Sequence, residues 1–551
     1  MTIKRGKFGK RRSNSLSMCH EMAKSGISLP LLFTPQFIAC DDTFTRIING
    51  QSDITPSLSD TRFKDLIWQQ NPIYRASMQA YLSWCDTLKS DIENAPITTT
   101  EKALLFNAAT HLTHALTPQI NPGNSAVQHA YESRGASLVH DLHRMTHDLL
   151  TQTLPSHFTT KTELAAGKHI AASCGTVIHR TEMLEIIQYS TITSNVNAIP
   201  LLIIPSPVNR FYLCDLQDDN SLVNYLLKQG FQIYTLSWRN PASAHSHWNL
   251  ESYVSETLDA IHQLSTECGH QKINLLGFAA GGMLAALAIS LLSQRAKNTD
   301  SDLNNHNSNP INSATLAITS LQTHTSSQVG HQLNDQLIHA ATALTQLHEV
   351  ADAKQLARNF SWLSPNNLLW NPLVSNYFSG EASPDQDITH WNNDTLRTTA
   401  GLYCDFLSMT GGDPLLDNNA LRLCGETINL ANIQCDTYTL AGSCDHITPW
   451  ESCYQTCLSM GGARDFVLVN RGHTRALVCP IDADDACYYT HNEIGNNPDD
   501  WLCDANQQSG SWWPHWASWL AQRSGGKHPA QQLSDETPPT LGPAPGLYVF
   551  E

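Results

Sequence analysis

The stretch Lys272-Ile-Asn-Leu-Leu-Gly277-Phe-Ala279-Ala-Gly281-Gly282 constrains the fold of this chain more than any other. Its apolar run reads as a buried strand and its Ala-rich end as a helix start, with three glycines crowding the turn between them. Glycines there let strand and helix approach closely, so that one strained residue projects its side chain from the tip. A catalytic elbow of this kind carries Ser or Cys at that tip. Here the tip is Ala279, a methyl group. The pattern thus predicts the architecture of a nucleophile site without the nucleophile.

At 551 residues, 41% of them hydrophobic, the chain is long enough for two or three packed domains. Its 33 Lys+Arg against 50 Asp+Glu give a formal charge of −17, which argues against nucleic acid or an anionic membrane as partner. The basic cluster Lys4, Arg5, Lys7, Lys10, Arg11 and Arg12 is not followed by an apolar stretch of signal-peptide type and reads as a solvated tail. No apolar run reaches the roughly 18 residues of a membrane-spanning helix, so a cytoplasmic protein is expected. Fifteen scattered cysteines, an odd number in a long chain, read as reduced thiols. Cys444, His446, Cys453 and Cys457 lie close together but lack knuckle spacing, and Cys453 and Cys457 fall on one helical face where small buried thiols sit. No metal and no cofactor are expected.

Residues 1–50 read as a flexible polar extension and 51–180 as a helical domain, with Tyr74, Met78, Tyr81 and Leu82, and then Leu104, Leu105, Ala108, Leu112 and Leu116, at helical spacing. From 181 to 551 the texture changes. Leu184-Ile-Ile-Gln-Tyr, Pro200-Leu-Leu-Ile-Ile, Gln232-Ile-Tyr-Thr-Leu and Ile273-Asn-Leu-Leu alternate with helical segments, the pattern of a mostly parallel sheet. A polar loop spans 298–309. A helical, Trp- and Asn-rich insertion at about 320–400 reads as a cap, and strands resume at Thr437-Tyr-Thr-Leu-Ala-Gly and Phe466-Val-Leu-Val-Asn. The expectation is an α/β-hydrolase fold with an inserted helical cap, preceded by a helical N-terminal domain. No repeat, Walker loop, G-x-G-x-x-G or H-E-x-x-H occurs.

In that fold an acid and a histidine follow the nucleophile in chain order, on loops after late strands. The strand at 437–442 runs into Asp445 and the strand at 466–470 into His473. A neutral imidazole can take a proton from a thiol or alcohol, and a carboxylate on its far nitrogen fixes the tautomer. The plainer reading is that either residue satisfies loop hydrogen bonds. With 25 histidines in the chain, only the joint placement of the two carries weight. His446, beside Asp445, reads as structural.

Several longer motifs join these: Arg62-Phe-Lys-Asp-Leu-Ile-Trp68-Gln-Gln-Asn-Pro72-Ile-Tyr74, Tyr212-Leu-Cys-Asp215, Leu236-Ser-Trp238-Arg239-Asn240-Pro241, Asn376-Tyr377, Trp391-Asn-Asn-Asp394, Ala441-Gly-Ser-Cys-Asp445-His446-Ile-Thr-Pro449-Trp450 and Gly510-Ser-Trp512-Trp513-Pro514. From about residue 60 to the end the chain resembles the polyhydroxyalkanoate synthases, those of the class II pseudomonad type. The resemblance implies a cysteine-dependent acyltransferase that polymerises (R)-3-hydroxyacyl-CoA into storage polyester and releases CoA. The family's G-x-C-x-G-G box falls on Gly277 to Gly282, so the catalytic cysteine aligns with Ala279, and Asp445 and His473 match the acid and base. Oxyanion donors would be the Ala280 N–H and one from the loop 205–209, at Val208, with His446, Asn376, Tyr377 and Gln322 around the pocket. The chain departs from the family at Gln322, at Cys479-Pro480-Ile481, and at Arg471 and Thr474 beside His473. The resemblance further implies a polyester granule surface as location, and self-association or pairing with an active synthase.

Losing the nucleophile of a triad costs roughly 10⁶ in turnover. Three functions therefore remain open: the family's polymerisation in impaired form, a non-catalytic homologue binding acyl-CoA, polyester or an active synthase subunit, and a weak thioesterase or hydrolase working through Asp445 and His473.

Overall fold

The computed structural model describes most of residues 43–93 and 164–551; the longer stretches outside it are 1–42, 57–62, 94–163, 299–308, 322–349, 352–385, 416–420 and 531–540. The chain divides into two compact units, Met1–Ser137 with Pro365–Val374, and Leu138–Ser364 with Ser375–Glu551.

In the first unit a 22-residue helix, α1 (Pro72–Glu93), begins on proline, whose missing N–H costs nothing in a first turn. Met78, Tyr81 and Cys85 bury one stripe of it with Phe63 and Trp68, the two rings meeting edge-on at 5.1 Å. The Gln79 amide closes the preceding loop by donating to the Ser52 and Ile54 carbonyls at 3.1 and 2.9 Å. The second predicted stripe, Leu104 to Leu116, lies outside the described residues.

The second unit is built on a ten-stranded sheet: β1 (Gly175–Arg180), β2 (Leu184–Tyr189), β3 (Leu201–Ile204), β4 (Ile233–Trp238), β5 (Ile273–Phe278), β6 (Ile311–Ala317), β7 (Asp436–Gly442), β8 (Arg464–Val469), β9 (Cys487–Thr490) and β10 (Asn506–Ser509). Their order is β1-β2-β4-β3-β5-β6-β7-β8-β9-β10. Strands β3 to β8 run parallel; β1, β2, β9 and β10 are attached antiparallel. Every residue of β3, β4 and β5 is buried, which is why these read as unbroken apolar runs rather than as alternation. The strand order reverses between β3 and β5, and in open parallel sheets such a switch point opens a crevice beyond the strands' carboxyl ends. This is the α/β-hydrolase fold.

Helices cover both faces. On one side α3 (Leu250–Glu267) and α4 (Ala280–Asn298) pack through Leu258, Ile261, Leu284, Leu287 and Leu291. On the other, α2 (Leu222–Gln229) and α10 (Trp513–Ala521) bring in Leu226, Trp513, Trp516 and Leu520, with Trp516 Nε1 donating to Thr315 Oγ1 of β6 at 2.9 Å. The outer edge of β1 is sealed by the segment 541–544. Val177 N–H donates to Gly542 O at 2.9 Å, and the amides of Leu541 and Ala544 donate back to Val177 and Gly175 at 2.9 and 2.8 Å, so the sheet offers no open ladder there.

Candidate active site

β5 ends at Phe278 and α4 begins at Ala280, leaving one residue for the reversal. Ala279 takes it in the left-handed region, φ +50°, a conformation that costs a non-glycine residue about 1–3 kcal/mol. Its surroundings hold it there: Ala279 N–H donates to Ala317 O at 3.1 Å, and its carbonyl accepts from Gly282 N–H (3.0 Å), Met283 N–H (3.3 Å) and the Thr319 hydroxyl (3.3 Å). The three glycines are steric necessities. A Cβ on Gly277 would stand 2.6 Å from Gly282 Cα, one on Gly281 would overlap the Ile204 carbonyl, and one on Gly282 would overlap Thr319 Oγ1. The backbone of a nucleophile elbow is therefore complete, with a methyl group at its tip.

Asp445 stands three residues beyond β7, and His473 opens α8 (His473–Leu477) beyond β8. The sheet register carries Phe278 across Ala317 and Leu440 to Val467, three strand spacings or roughly 14 Å. The loops after β6, β7 and β8 are joined in series across that span, Thr319 to Ala279, Thr448 to Ile318 and His473 to Asp445. Asp445 is fully buried at its side chain. Its Oδ1 accepts from the amides of Ile447 (2.8 Å) and Thr448 (2.9 Å), and its Oδ2 from the Thr448 hydroxyl (2.7 Å) and His473 Nδ1 (2.7 Å). Burial pushes the Asp445 carboxyl up, but the imidazole beside it and the Thr448 donors together outweigh that and hold it below its ordinary value. An ionised carboxylate only accepts, which assigns a proton to His473 Nδ1 and makes Nε2 the nitrogen able to serve as a base. The imidazole is 15% exposed, against a fully buried carboxylate.

The residues after β6 join the elbow to this pair. Ile318, φ +45°, donates its N–H to Leu440 O at 2.7 Å and presents its carbonyl to Thr448 Oγ1 at 3.2 Å. Thr319 places its hydroxyl between the carbonyls of Ala317 (2.9 Å) and Ala279 (3.3 Å).

Ala280, first residue of α4, has no carbonyl one turn earlier to accept its N–H, the situation of an oxyanion donor. Gly281 packs on Ile204 and Pro205, so the loop after β3 lies against the elbow. That loop is pinned by Trp238 Nε1 to Pro205 O (2.9 Å) and by Leu396 N–H to Val208 O (3.1 Å), while the Val208 N–H makes only a long 3.4 Å bond to Ser206 Oγ. Arg210 anchors its far end, donating to Asp394 Oδ1 (3.1 Å), Tyr548 O (2.9 Å) and Glu551 O (2.6 Å). His446, Gln322, Asn376 and Tyr377 lie outside the described residues. Cys453 and Cys457 are buried on α7 (Trp450–Ser459), where burial pushes the first thiol well up and the second to about 11. Among the described residues no three His, Cys, Asp or Glu side chains group as a metal site. Thr448, bonded to Asp445 and 3.3 Å from His473 Nδ1, carries one signal in the sequence, Asp445-x-x-Thr448, an Asp followed by amides that turn back onto it.

Two family models match, one described as poly-beta-hydroxybutyrate polymerase N-terminus over residues 59–226 and one as alpha/beta hydrolase fold over 214–476. Poly(3-hydroxyalkanoate) polymerase 2 of Ectopseudomonas oleovorans is 35% identical, the match covering 100% of this chain and 97% of that protein. The chain belongs to the poly(3-hydroxyalkanoate) polymerase family. Polymerase 1 of the same organism is 32% identical over 99% of this chain and 96% of its own length, and the polymerase subunit of Cupriavidus necator 29% identical over 91% and 84%. Family membership thus rests on the whole length of the chain and not on the elbow box alone.

Proposed function

We propose that this chain is a polymerase-family protein that binds (R)-3-hydroxyacyl-CoA or its polyester at the elbow and does not itself sustain polymerisation. The observation that supports this reading is Ala279 in the left-handed elbow position, linked through Thr319 and Ile318 to Thr448 of a hydrogen-bonded Asp445–His473 pair. In a complete site His473 Nε2 would take the thiol proton, the thiolate would attack the acyl thioester, the Ala280 and Val208 amides would receive the oxyanion, and CoA would leave as its thiol with the proton from His473. Asp445 and His473 would then activate the 3-hydroxyl of the next unit. Without the thiol no acyl-enzyme forms, so chain growth has no covalent anchor. Asp445 and His473 are the residues left to act, on a water or a hydroxyl.

Among the described residues no helix is long and apolar enough to cross a membrane, and a cytoplasmic protein at the granule surface fits that. The helical N-terminal region and the 320–400 insertion would supply contacts to polymer or to a second, active subunit.

The test is to follow CoA release and polymer formation from 3-hydroxyacyl-CoA with the chain as it stands and with Ala279→Cys. Polymer from the variant alone is expected. Processive polymerisation by the unmodified chain would refute the reading, and slow CoA release without polymer would favour a water-activating thioesterase.

A further inference from the structure

We propose that Thr448 is a positioning residue of the Asp445–His473 pair, its hydroxyl held between the acid and the strained Ile318 carbonyl so that it sets how much of the carboxylate's charge the imidazole feels. The proposal rests on the reading of Asp445 and His473 as acid and base.

Thr448 Oγ1 has one proton and three polar neighbours: Asp445 Oδ2 at 2.7 Å, Ile318 O at 3.2 Å and His473 Nδ1 at 3.3 Å. Oδ2 is also the oxygen that receives the His473 proton, while Oδ1 is filled by the two amides. Hydroxyl and imidazole therefore share one acceptor atom, and each donor weakens what the carboxylate gives to the other. A carboxylate stripped of the hydroxyl bond would favour the imidazolium more strongly. Thr448 is itself fixed through its backbone, its N–H on Asp445 Oδ1 and its carbonyl accepting from the buried Cys453 thiol at 3.7 Å.

Ile318 supplies the second observation. A β-branched residue at positive φ is a true outlier and persists only where its surroundings over-determine it. Here the side chain is buried, the N–H is tied to Leu440 O, and the turn aims the carbonyl at Thr448 instead of along the sheet. The next residue, Thr319, reaches back to the Ala279 carbonyl. Residues 318–319 thus bracket the elbow on one side and the acid loop on the other, and Thr448 is the point where that bracket meets the pair.

Among the described residues, few charged or titratable groups stand around the imidazole. Asp445 faces it from the loop after β7, Cys453 on α7 stays neutral because burial pushes its thiol well up, and Arg471 and Arg475 flank it in sequence. The Asp445 carboxylate is thus the charge through which Thr448 acts on it.

The test needs no turnover. In the intact chain labelled at histidine, with the His473 signal assigned by its loss in His473→Gln, the imidazole is titrated by NMR in the parent and in Thr448→Val and Thr448→Ser. Thr448→Val, isosteric but without the hydroxyl, is expected to raise the His473 midpoint by roughly half a unit to one unit, the worth of one hydrogen bond; Thr448→Ser is expected to restore it. Thr448→Ala gives the same reading if the valine variant does not fold. A midpoint unmoved by loss of the hydroxyl, or moved downward, overturns the proposal. If Ala279→Cys releases no CoA while the midpoint still shifts, the proposed function fails and the positioning role stands.

Discussion

Gly281→Ala tests the elbow where its geometry is tightest. The new Cβ would overlap the Ile204 carbonyl and lie 2.5 Å from Pro205 C and 2.6 Å from Pro205 O, where ordinary contact begins at 3.4 Å. Relieving the Pro205 contacts alone takes a movement of roughly 0.9 Å, and the overlap with the Ile204 carbonyl takes more than about 1 Å. β3 is held, because Leu201 to Ile203 are paired on one side with Ile233 to Thr235 and Leu201 to Ile204 on the other with Asn274 to Gly277. The N-terminus of α4 must withdraw, or Pro205 must swing and lose the bond from Trp238 Nε1. Overpacking of this kind costs about 1–3 kcal/mol and an orphaned buried donor about 1–3 kcal/mol more. The sum, about 2–6 kcal/mol, is a large part of the 5–15 kcal/mol typical of a domain. The control is Gly495→Ala, where a Cβ meets nothing within 4 Å; it is expected to be neutral or stabilising by about 0.4–1 kcal/mol. Denaturant unfolding followed by near-ultraviolet circular dichroism reads both, since Trp512, Trp513, Trp516 and Trp519 are buried in the sheet-bearing unit. In an Ala279→Cys background the same withdrawal displaces the Ala280 N–H by about 1 Å, and roughly 10²-fold of the restored turnover is expected to vanish. Equal stabilities for the two glycine variants would refute the close-approach argument.

Burial raises the Asp215 carboxyl, the Ser173 and Ser221 hydroxyls offsetting only part of it, and Asp215 Oδ2 has no hydrogen-bond partner. The unfolded chain ionises first as pH rises, so stability falls from about pH 4 upward, and Asp215→Asn should gain on the parent in thermal melts between pH 4 and 7; parallel curves would contradict this. Burial lowers the His515 imidazole, whose Nδ1 lies 3.0 Å from the buried Tyr438 hydroxyl. The unfolded chain binds the proton that the folded one refuses, so stability drops as pH falls below about 6.5, and His515→Gln should flatten the difference between denaturation midpoints at pH 7.5 and 5.5. Asp445, held low overall, contributes stability that is complete above its ordinary value of about 3.9 and lost as pH falls through its lower folded value. Asp445→Asn is expected to cost about 1–3 kcal/mol at neutral pH, measurable by chemical denaturation, because an amide in place of the carboxylate turns an NH2 toward buried donors that the second oxygen had accepted from.

The strands that the sequence revealed are those whose burial leaves no ambiguity: Leu184–Tyr189, Leu201–Ile204, Ile233–Trp238 and Ile273–Phe278 have almost every side chain inside. Strands at the margins left no such trace. Asn506–Ser509 is exposed at all four positions and Cys487–Thr490 half-buried throughout, so neither apolar runs nor alternation marks them; their place is decided by pairing with β8 and with each other. The candidate acid and base were legible because the fold demands them at strand ends. Thr448 and Ile318 were not, since one is an ordinary loop threonine and the other an ordinary apolar residue until backbone geometry turns a carbonyl toward a hydroxyl. The same distinction bears on Ala279. A single missing thiol is visible in sequence, whereas the retained strain at Ala279 and Ile318, about 1–3 kcal/mol each, is visible only in structure. Strain of that size at two points of an idle site is a standing cost that glycine at 279 would relieve. Its persistence is the physical reason to expect Ala279→Cys to find the rest of the site already in place.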